Sequence, residues 1–441
     1  MKAHLSNAAY GILDYAAYPL GMLVVAPVVL RNLGLAQFGV WTVATAAINT
    51  GAIIASGFGD ANIQHVASRR SAGDPSILLR AVRSMMGINL ALGITLAATG
   101  WMLSPYAAAH LAGTDPGLVR CCVWSLRIAS ILMAVRAVES VCISTQRAFE
   151  RYGAAVRISV LARLLALVAA AGLTFVSQGV TAILAVSGAI MVGGVWLQLV
   201  RLRELLSADS LMPAFNRDAV RALMGFGAFS WLQAVSGVIF TQADRLVLGV
   251  TLGAATVASY ALCVQLAQPI YGFAASGLHF LFPYLSNRNA SSSEVSLREP
   301  VLVAFLCNLA FVVMASGALL FFGEPILRAW VGMSIAREAA PVLAIIVLSS
   351  ALMGLNVTAT YALLAFGRVR TVTSFNLVSG AVMLLAMLYL TPRLGIQGMV
   401  MARLSYALIP LFLYIPLLRH LFKKRTSVEP ASELFLIGDP Q

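Results

Sequence analysis

Seven stretches of this chain, residues 32–59, 84–114, 164–200, 222–243, 246–287, 300–323 and 339–367, contain no Asp, Glu, Lys or Arg. A bilayer-spanning helix needs about 20 mainly apolar residues, so each run can cross a membrane and several can cross it twice. Hydrocarbon offers no water to backbone N–H and C=O groups, so segments of this kind must pair those groups internally as helices. Only 11% of the 441 residues are charged and 60% are hydrophobic, whereas a soluble domain carries about 25% charged residues. The expectation is an all-α integral membrane protein.

Gly, Pro and polar residues punctuate the apolar length, at LGLAQ (33–37), SQG (177–179) and TPRLG (391–395). They divide it into twelve crossings, at about 8–30, 38–60, 84–104, 121–143, 158–177, 181–200, 222–243, 256–285, 301–322, 340–366, 372–390 and 397–418. The first is as long as a spanning helix and does not look like a cleaved signal. An even count puts both termini on one side. That side collects twenty basic residues, among them Arg69, Arg70, Arg80, Arg83, Arg147, Arg151 and Arg157, and the opposite side six: Arg31, Arg120, Arg245, Arg328, Arg337 and Arg393. Positive charge stays in the cytoplasm, which places both termini there. The net charge of +13 is then a topology signal, and no nucleic-acid partner is expected.

The two halves echo each other. LGLAQFGVW (33–41) aligns with LGAATVASY (252–260) at an offset of 219, FERYG (149–153) with LLAFG (363–367) at 214, and QGVTA (178–182) with LGIQG (394–398) at 216. Nearly one offset at three equivalent places is the mark of an internal repeat. Two six-helix lobes of like orientation are related by a pseudo-twofold along the membrane normal. The expected division is 1–200 for the first lobe, 201–221 for a cytoplasmic linker, 222–420 for the second lobe and 421–441 for a cytoplasmic tail.

Several segments resemble one transporter family. TQADRLVLGVTLGAATVASYAL (241–262) is similar to the seventh-to-eighth helix junction of bacterial polysaccharide transporters. These are the O-antigen and exopolysaccharide flippases of the multidrug/oligosaccharidyl-lipid/polysaccharide exporter superfamily. PVVLRNLGLAQFGVWTVATA (27–46) resembles the family's first hairpin, and ILRAWVGMSIAREAAPVLAIIVLSSAL (326–352) its ninth-to-tenth junction. The resemblance implies a flippase of the bacterial inner membrane that moves undecaprenyl-diphosphate-linked oligosaccharide by alternating access. It implies membrane lipids, a polysaccharide polymerase and chain-length machinery as partners, and proton or sodium coupling. At this junction Asp244 and Arg245 sit together near the periplasmic end of the seventh helix. The pair reads mainly as an anchor, with Arg245 snorkelling to the headgroups and Asp244 partly neutralising it.

Charges placed deeper are the functional candidates, because an ionisable group in the bilayer usually faces protein or water. They are Asp14 in the first helix, Arg127, Arg136 and Glu139 in the fourth, Arg163 in the fifth and Arg403 in the twelfth. Arg127, Arg136, Arg163 and Arg403 are expected to give a cationic cavity, suited to a diphosphate because guanidinium offers forked donors. The alternative is that Arg136–Glu139 and Asp14–Arg163 are structural pairs. Asp14 shares its helix with Pro19 and Pro27, which makes it a candidate for ion coupling or gating beside Glu139. Asn49, Gln233, Gln242, Gln265, Gln268, Asn308, Asn356 and Asn376 can bond sugar hydroxyls or neighbouring helices. Trp41, Trp101, Trp231 and Trp330 fit interfacial belts.

No catalytic constellation accompanies them. The sequence has no P-loop, no HExxH and no GxSxG, the five cysteines and five histidines lack metal-ligand spacing, and no loop exceeds roughly 25 residues, too short for an extramembrane domain. Neither an enzyme, a cofactor nor a metal is expected. The alternative function is a cation-coupled multidrug or small-molecule exporter of the same superfamily, and a cationic cavity argues against it for cationic drugs.

Overall fold

The computed structural model describes residues 2–56, 66, 75–149, 152–176, 179–214, 231, 242–279, 281–290 and 297–422. Among them there is no strand. The helices are α1 (Lys2–Ser56), α2 (Pro75–Ala112), α3 (Pro116–Ala148), α4 (Tyr152–Leu173), α5 (Val180–Leu205), α6 (residues 242–252), α7 (Ala254–Gly277), α8 (Leu281–Ala290), α9 (Arg298–Val331), α10 (Met333–Ala365), α11 (Val369–Leu394), α12 (Ile396–Leu408) and α13 (Tyr414–Phe422), the last two joined by a 3-10 turn (Ile409–Leu413). Nine helical segments within the described residues are long and apolar enough to cross a membrane. With the two arms of α1 counted apart and α6 and α7 added, the chain is a multi-pass membrane protein of about twelve helices. Most of the expected seventh crossing lies outside the described residues, as do Gln233 and the tail from residue 423 on.

α1 bends where the repeat begins. Gly34 has φ 79° and ψ 169° inside otherwise helical backbone. This region is essentially restricted to glycine, because a Cβ there meets the flanking carbonyl. Gly253, at the same offset of 219, has φ 83° and ψ 173° between α6 and α7. Gly113, between α2 and α3, and Gly332, between α9 and α10, lie 219 positions apart and have φ 60° and 95°. The third match is looser, since Gly395 has φ 61° and Gly179 has φ −119°. The FERYG match runs into residues outside the described set. α1 stays helical at Pro19 and Pro27, so its break belongs to the glycine.

Small residues let the helices close up, as expected where packing rather than water drives association. A Cβ on Gly93 would lie 2.7 Å from the Ala137 Cβ, and one on Gly100 2.5 Å from the Ser130 Oγ, which sets α2 tightly on α3. Buried amides tie other helices: Asn308 Nδ2 donates to Gly354 O (2.9 Å) and Thr358 Oγ1 (3.1 Å), and Asn356 Nδ2 to Ala407 O (3.0 Å). The structure thus uses Asn308 and Asn356 between helices. α5 runs through Arg201–Leu205, the start of the expected linker. The following stretch lies on α2, where Arg83 Nε donates to Met212 O (2.8 Å) and Ala214 N to Arg83 O (3.0 Å).

The halves meet near the glycine turns. A Cβ on Gly39 would fall 1.8 Å from the Ala254 carbonyl oxygen, so α1 and α7 touch backbone to backbone. Trp330 Nε1 donates to Leu23 O (2.7 Å), linking α9 to α1. Trp330 therefore ties the two halves, and Trp41 is only 3% exposed. Trp41 is thus enclosed by core helices and does not belong to the interfacial belt expected of it.

Candidate functional site

Between the halves lies a cavity of about 440 Å³. Its first-half wall comes from both arms of α1, with Tyr18, Pro19, Thr45 and Asn49, and its second-half wall includes Gln242, Arg245, Gln265 and Arg403. A smaller cavity of about 280 Å³ lies within the first half and shares Tyr18, Pro19, Thr45 and Asn49 with it, adding Trp41, Arg136, Arg163 and Ser187. Two larger grooves, about 710 and 690 Å³, lie between α7 and α9 and share Phe273 and Phe311. Phe273 is more than half exposed, as befits a face turned to lipid.

Asp244 organises the second-half wall. Its side chain is 1% exposed and forms an ion pair with Arg403 Nη1 at 2.6 Å. The same oxygen, Oδ2, accepts from the Tyr260 hydroxyl (2.7 Å), while Oδ1 accepts from the Arg245 backbone N–H (2.8 Å). Arg403 Nη1 also lies 3.3 Å from the Tyr260 oxygen. One carboxylate therefore joins α6, α7 and α12. The anchor expected of Asp244 and Arg245 is corrected here: Asp244 is enclosed in protein and paired with a residue 159 positions away, and Arg245 lines the cavity instead of reaching for headgroups.

Four polar atoms along this wall are buried and unpartnered among the described residues: Gln242 Oε1, Arg245 Nε, Gln265 Nε2 and Arg403 Nε. Native interiors rarely leave such groups unmet. Arg245 has no ion-pair partner among the described residues, whereas Arg403 is shared with Asp244. The wall thus holds two guanidinium groups against one carboxylate, and Tyr18 lies within electrostatic reach of Arg245, Arg163 and Arg136. The arrangement can receive an anion with several acceptor oxygens, through forked donors in a setting of low dielectric.

Of the other expected site residues, Arg136 forms an ion pair with Glu139 three positions on, as the helical period requires. Arg163 donates to Ser159 Oγ at 2.9 Å. Both arginines line the smaller cavity. Asp14 lies on α1, with its side chain outside the described residues, and Pro19 lines both cavities. Pro27 lines neither. Arg127 is placed differently from the expectation: its guanidinium lies 4.8 Å from the Trp101 ring centroid and 5.3 Å from that of Trp124. Those rings are 38% and 49% exposed, so Arg127 belongs to an outward aromatic cluster and lines neither cavity. Sequence reasoning passed over Arg245 and Tyr260 as site residues. The signal available was the lone Asp-Arg pair between charge-free runs.

Comparison with solved structures gives the fold a context. The chain is similar to the lipid II flippase MurJ in an inward closed conformation, with a TM-score of 0.72 and 13% identity over 93% of this chain and 87% of that one. It is similar to an inward-facing multidrug resistance transporter of the MATE family in the MOP superfamily, with a TM-score of 0.69 and 16% identity over 94% and 96%. A third likeness, at 0.56 and 15% identity over 92% and 96%, is to a MOP superfamily transporter from Pyrococcus furiosus, described as having a binding pocket of reverse polarity. No match is found among curated protein sequences. The profile of one sequence family, described as polysaccharide biosynthesis protein, matches residues 6–288. This helical membrane chain, with its charged cavity between two halves, belongs to the polysaccharide biosynthesis protein family.

Proposed function

We propose that this protein moves undecaprenyl-diphosphate-linked oligosaccharide from the cytoplasmic to the periplasmic leaflet of the bacterial inner membrane, supplying O-antigen, capsule or exopolysaccharide synthesis. The observation that carries this reading is the pairing of Arg245, unpartnered among the described residues, with Arg403 on one wall of the central cavity. A diphosphate offers the charge and the oxygens that such a wall lacks. Gln242 and Gln265 supply an acceptor and a donor for sugar hydroxyls beside it. At about 440 Å³ the cavity takes a headgroup and its first sugar, within the range of about 300–1,000 Å³ typical of small-molecule sites; the lipid chain stays in the bilayer.

The proposed cycle rocks one six-helix lobe, 1–200, against the other, 222–420, with both termini cytoplasmic and proton or sodium coupling. In that orientation the contact of Gly39 with Ala254 seals the periplasmic face. Membership of a polysaccharide biosynthesis family supports the reading, as does the likeness to a lipid II flippase. The test is depletion of the protein followed by extraction of undecaprenyl-linked intermediates. A complete oligosaccharide accumulating on its carrier is the expected outcome. Unchanged lipid intermediates with heightened dye sensitivity would replace this reading with multidrug export.

A further inference from the structure

The ion pair of Arg403 with Asp244 poses a problem for any anion entering the cavity, because Nη1 of this arginine is already taken. We propose that Asp244 is a built-in competitor, an internal anion that holds Arg403 while the cavity is empty and yields it to the phosphate oxygens of the ligand. The inference rests on the lipid-diphosphate reading for the identity of that ligand.

The geometry supports exchange over a static tie. Asp244 keeps two donors when Arg403 leaves, the Tyr260 hydroxyl at 2.7 Å and the Arg245 N–H at 2.8 Å. A buried carboxylate with those bonds is not stranded as a bare one would be. Arg403 lines the cavity, and its Nε is buried and unpartnered, so its cavity edge lacks a partner until a ligand arrives. Arg245 stands on the same wall. A ligand that engages both guanidinium groups offsets the broken pair, which a single negative charge or a neutral sugar does not. The competitor therefore sets a threshold that favours diphosphate over monoanions, as specificity gained by an element that opposes the wrong partner. Exchange also unties α12 from α6 and α7, the helices that Asp244 joins, so occupancy of the cavity loosens the second half at the moment of loading.

Apparent affinity falls by the fraction of time a competent state is populated. Removing the competitor must then tighten binding, the opposite of what loss of a structural tie produces. The experiment is titration of the purified full chain with inorganic diphosphate. Asp244→Asn, which keeps Oδ1 as the acceptor for Arg245 N–H and turns its amide NH2 as a donor toward the Tyr260 oxygen, is expected to bind diphosphate about tenfold more tightly than the wild type. In an Arg403→Ala background the same substitution should change nothing, the signature of coupling between the two sites. Tyr260→Phe leaves Arg403 as the only partner of Oδ2 and should weaken binding several-fold. Equal or weaker affinity in Asp244→Asn, including no binding by either protein, overturns the exchange. If Asp244→Asn does not accumulate, unchanged affinity in Tyr260→Phe overturns it instead. Tightening by Asp244→Asn in a protein that moves no lipid-linked saccharide upholds the exchange and removes the lipid reading.

Discussion

An arginine held in hydrocarbon costs about 2.5–3.5 kcal/mol on insertion scales, so each one in this protein calls for a partner or a role. Arg136 has its partner in Glu139, and removing that partner strands a guanidinium at 17% side-chain exposure. Glu139→Ala is expected to destabilise the fold by about 3 kcal/mol, seen as reduced membrane abundance, whereas replacing both residues by Met should restore it. Arg127 has its aromatic rings. Arg127→Ala should leave transport per molecule unchanged and lower thermal stability by about 0.5–1 kcal/mol, the scale of an exposed cation–π contact. Arg245 has neither a carboxylate nor a ring among the described residues. Arg245→Ala is expected to lower transport about 10- to 100-fold at unchanged abundance, one charge-assisted contact at roughly 1.4 kcal/mol per tenfold; Arg245→Lys should recover part of it. The Arg136–Glu139 pair was legible in the sequence because helical period alone brings residues three apart together. The Arg403–Asp244 pair was not, because its members are 159 positions apart and no local pattern links them. Arg127 misled for a related reason: depth along a helix can be counted from sequence, but the face it occupies depends on neighbours such as Trp101.

At the scale of the element, the glycine turns carry the repeat. Charge-free runs announced the helices, and the shared Leu-Gly at offset 219 announced where two of them break, since a torsion near φ 80° and ψ 170° admits little but glycine. Gly34 and Gly253 bear that out. Less legible was the contact the turns create. Gly39 is one glycine among 35, and only the packed structure brings the Ala254 oxygen within 1.8 Å of where its Cβ would be. The obstacle is backbone, so a side chain there cannot be relieved by a rotamer change and the helices must separate. Gly39→Ala is expected to destabilise this contact by about 1–3 kcal/mol, the scale of overpacking. The check is labelling of a cysteine placed at Thr42, which lines the cavity, by a membrane-impermeant maleimide in a background without the native cysteines. Labelling should rise several-fold with Gly39→Ala. Unchanged labelling would mean that this contact does not control access.

At the scale of the whole molecule, the two halves share their turns and differ in their charges. The Asp244–Tyr260–Arg403 network lies in the second half, and the positions matching Asp244 and Tyr260 at offset 219 in the first are Val25 and Trp41, which can form no such network. The first half instead keeps Arg136 and Arg163 along its own smaller cavity, with Glu139 paired to Arg136. In the proposed cycle the common geometry supplies two bodies that move against each other, and the unlike charges give the ligand one wall to bind. Helix number and the paired turns follow from apolar length and repeated glycines, which sequence displays directly. The chemistry of the cavity follows from contacts between distant segments, which it does not. The most direct measurement is transfer of a fluorescent undecaprenyl-diphosphate-linked saccharide between leaflets of liposomes containing the purified protein. The wild type is predicted to move the headgroup across the bilayer, and the Arg245→Ala, Arg403→Ala double variant to lose that activity at equal protein content. A wild type that moves no headgroup, or a double variant that matches it, would contradict the account.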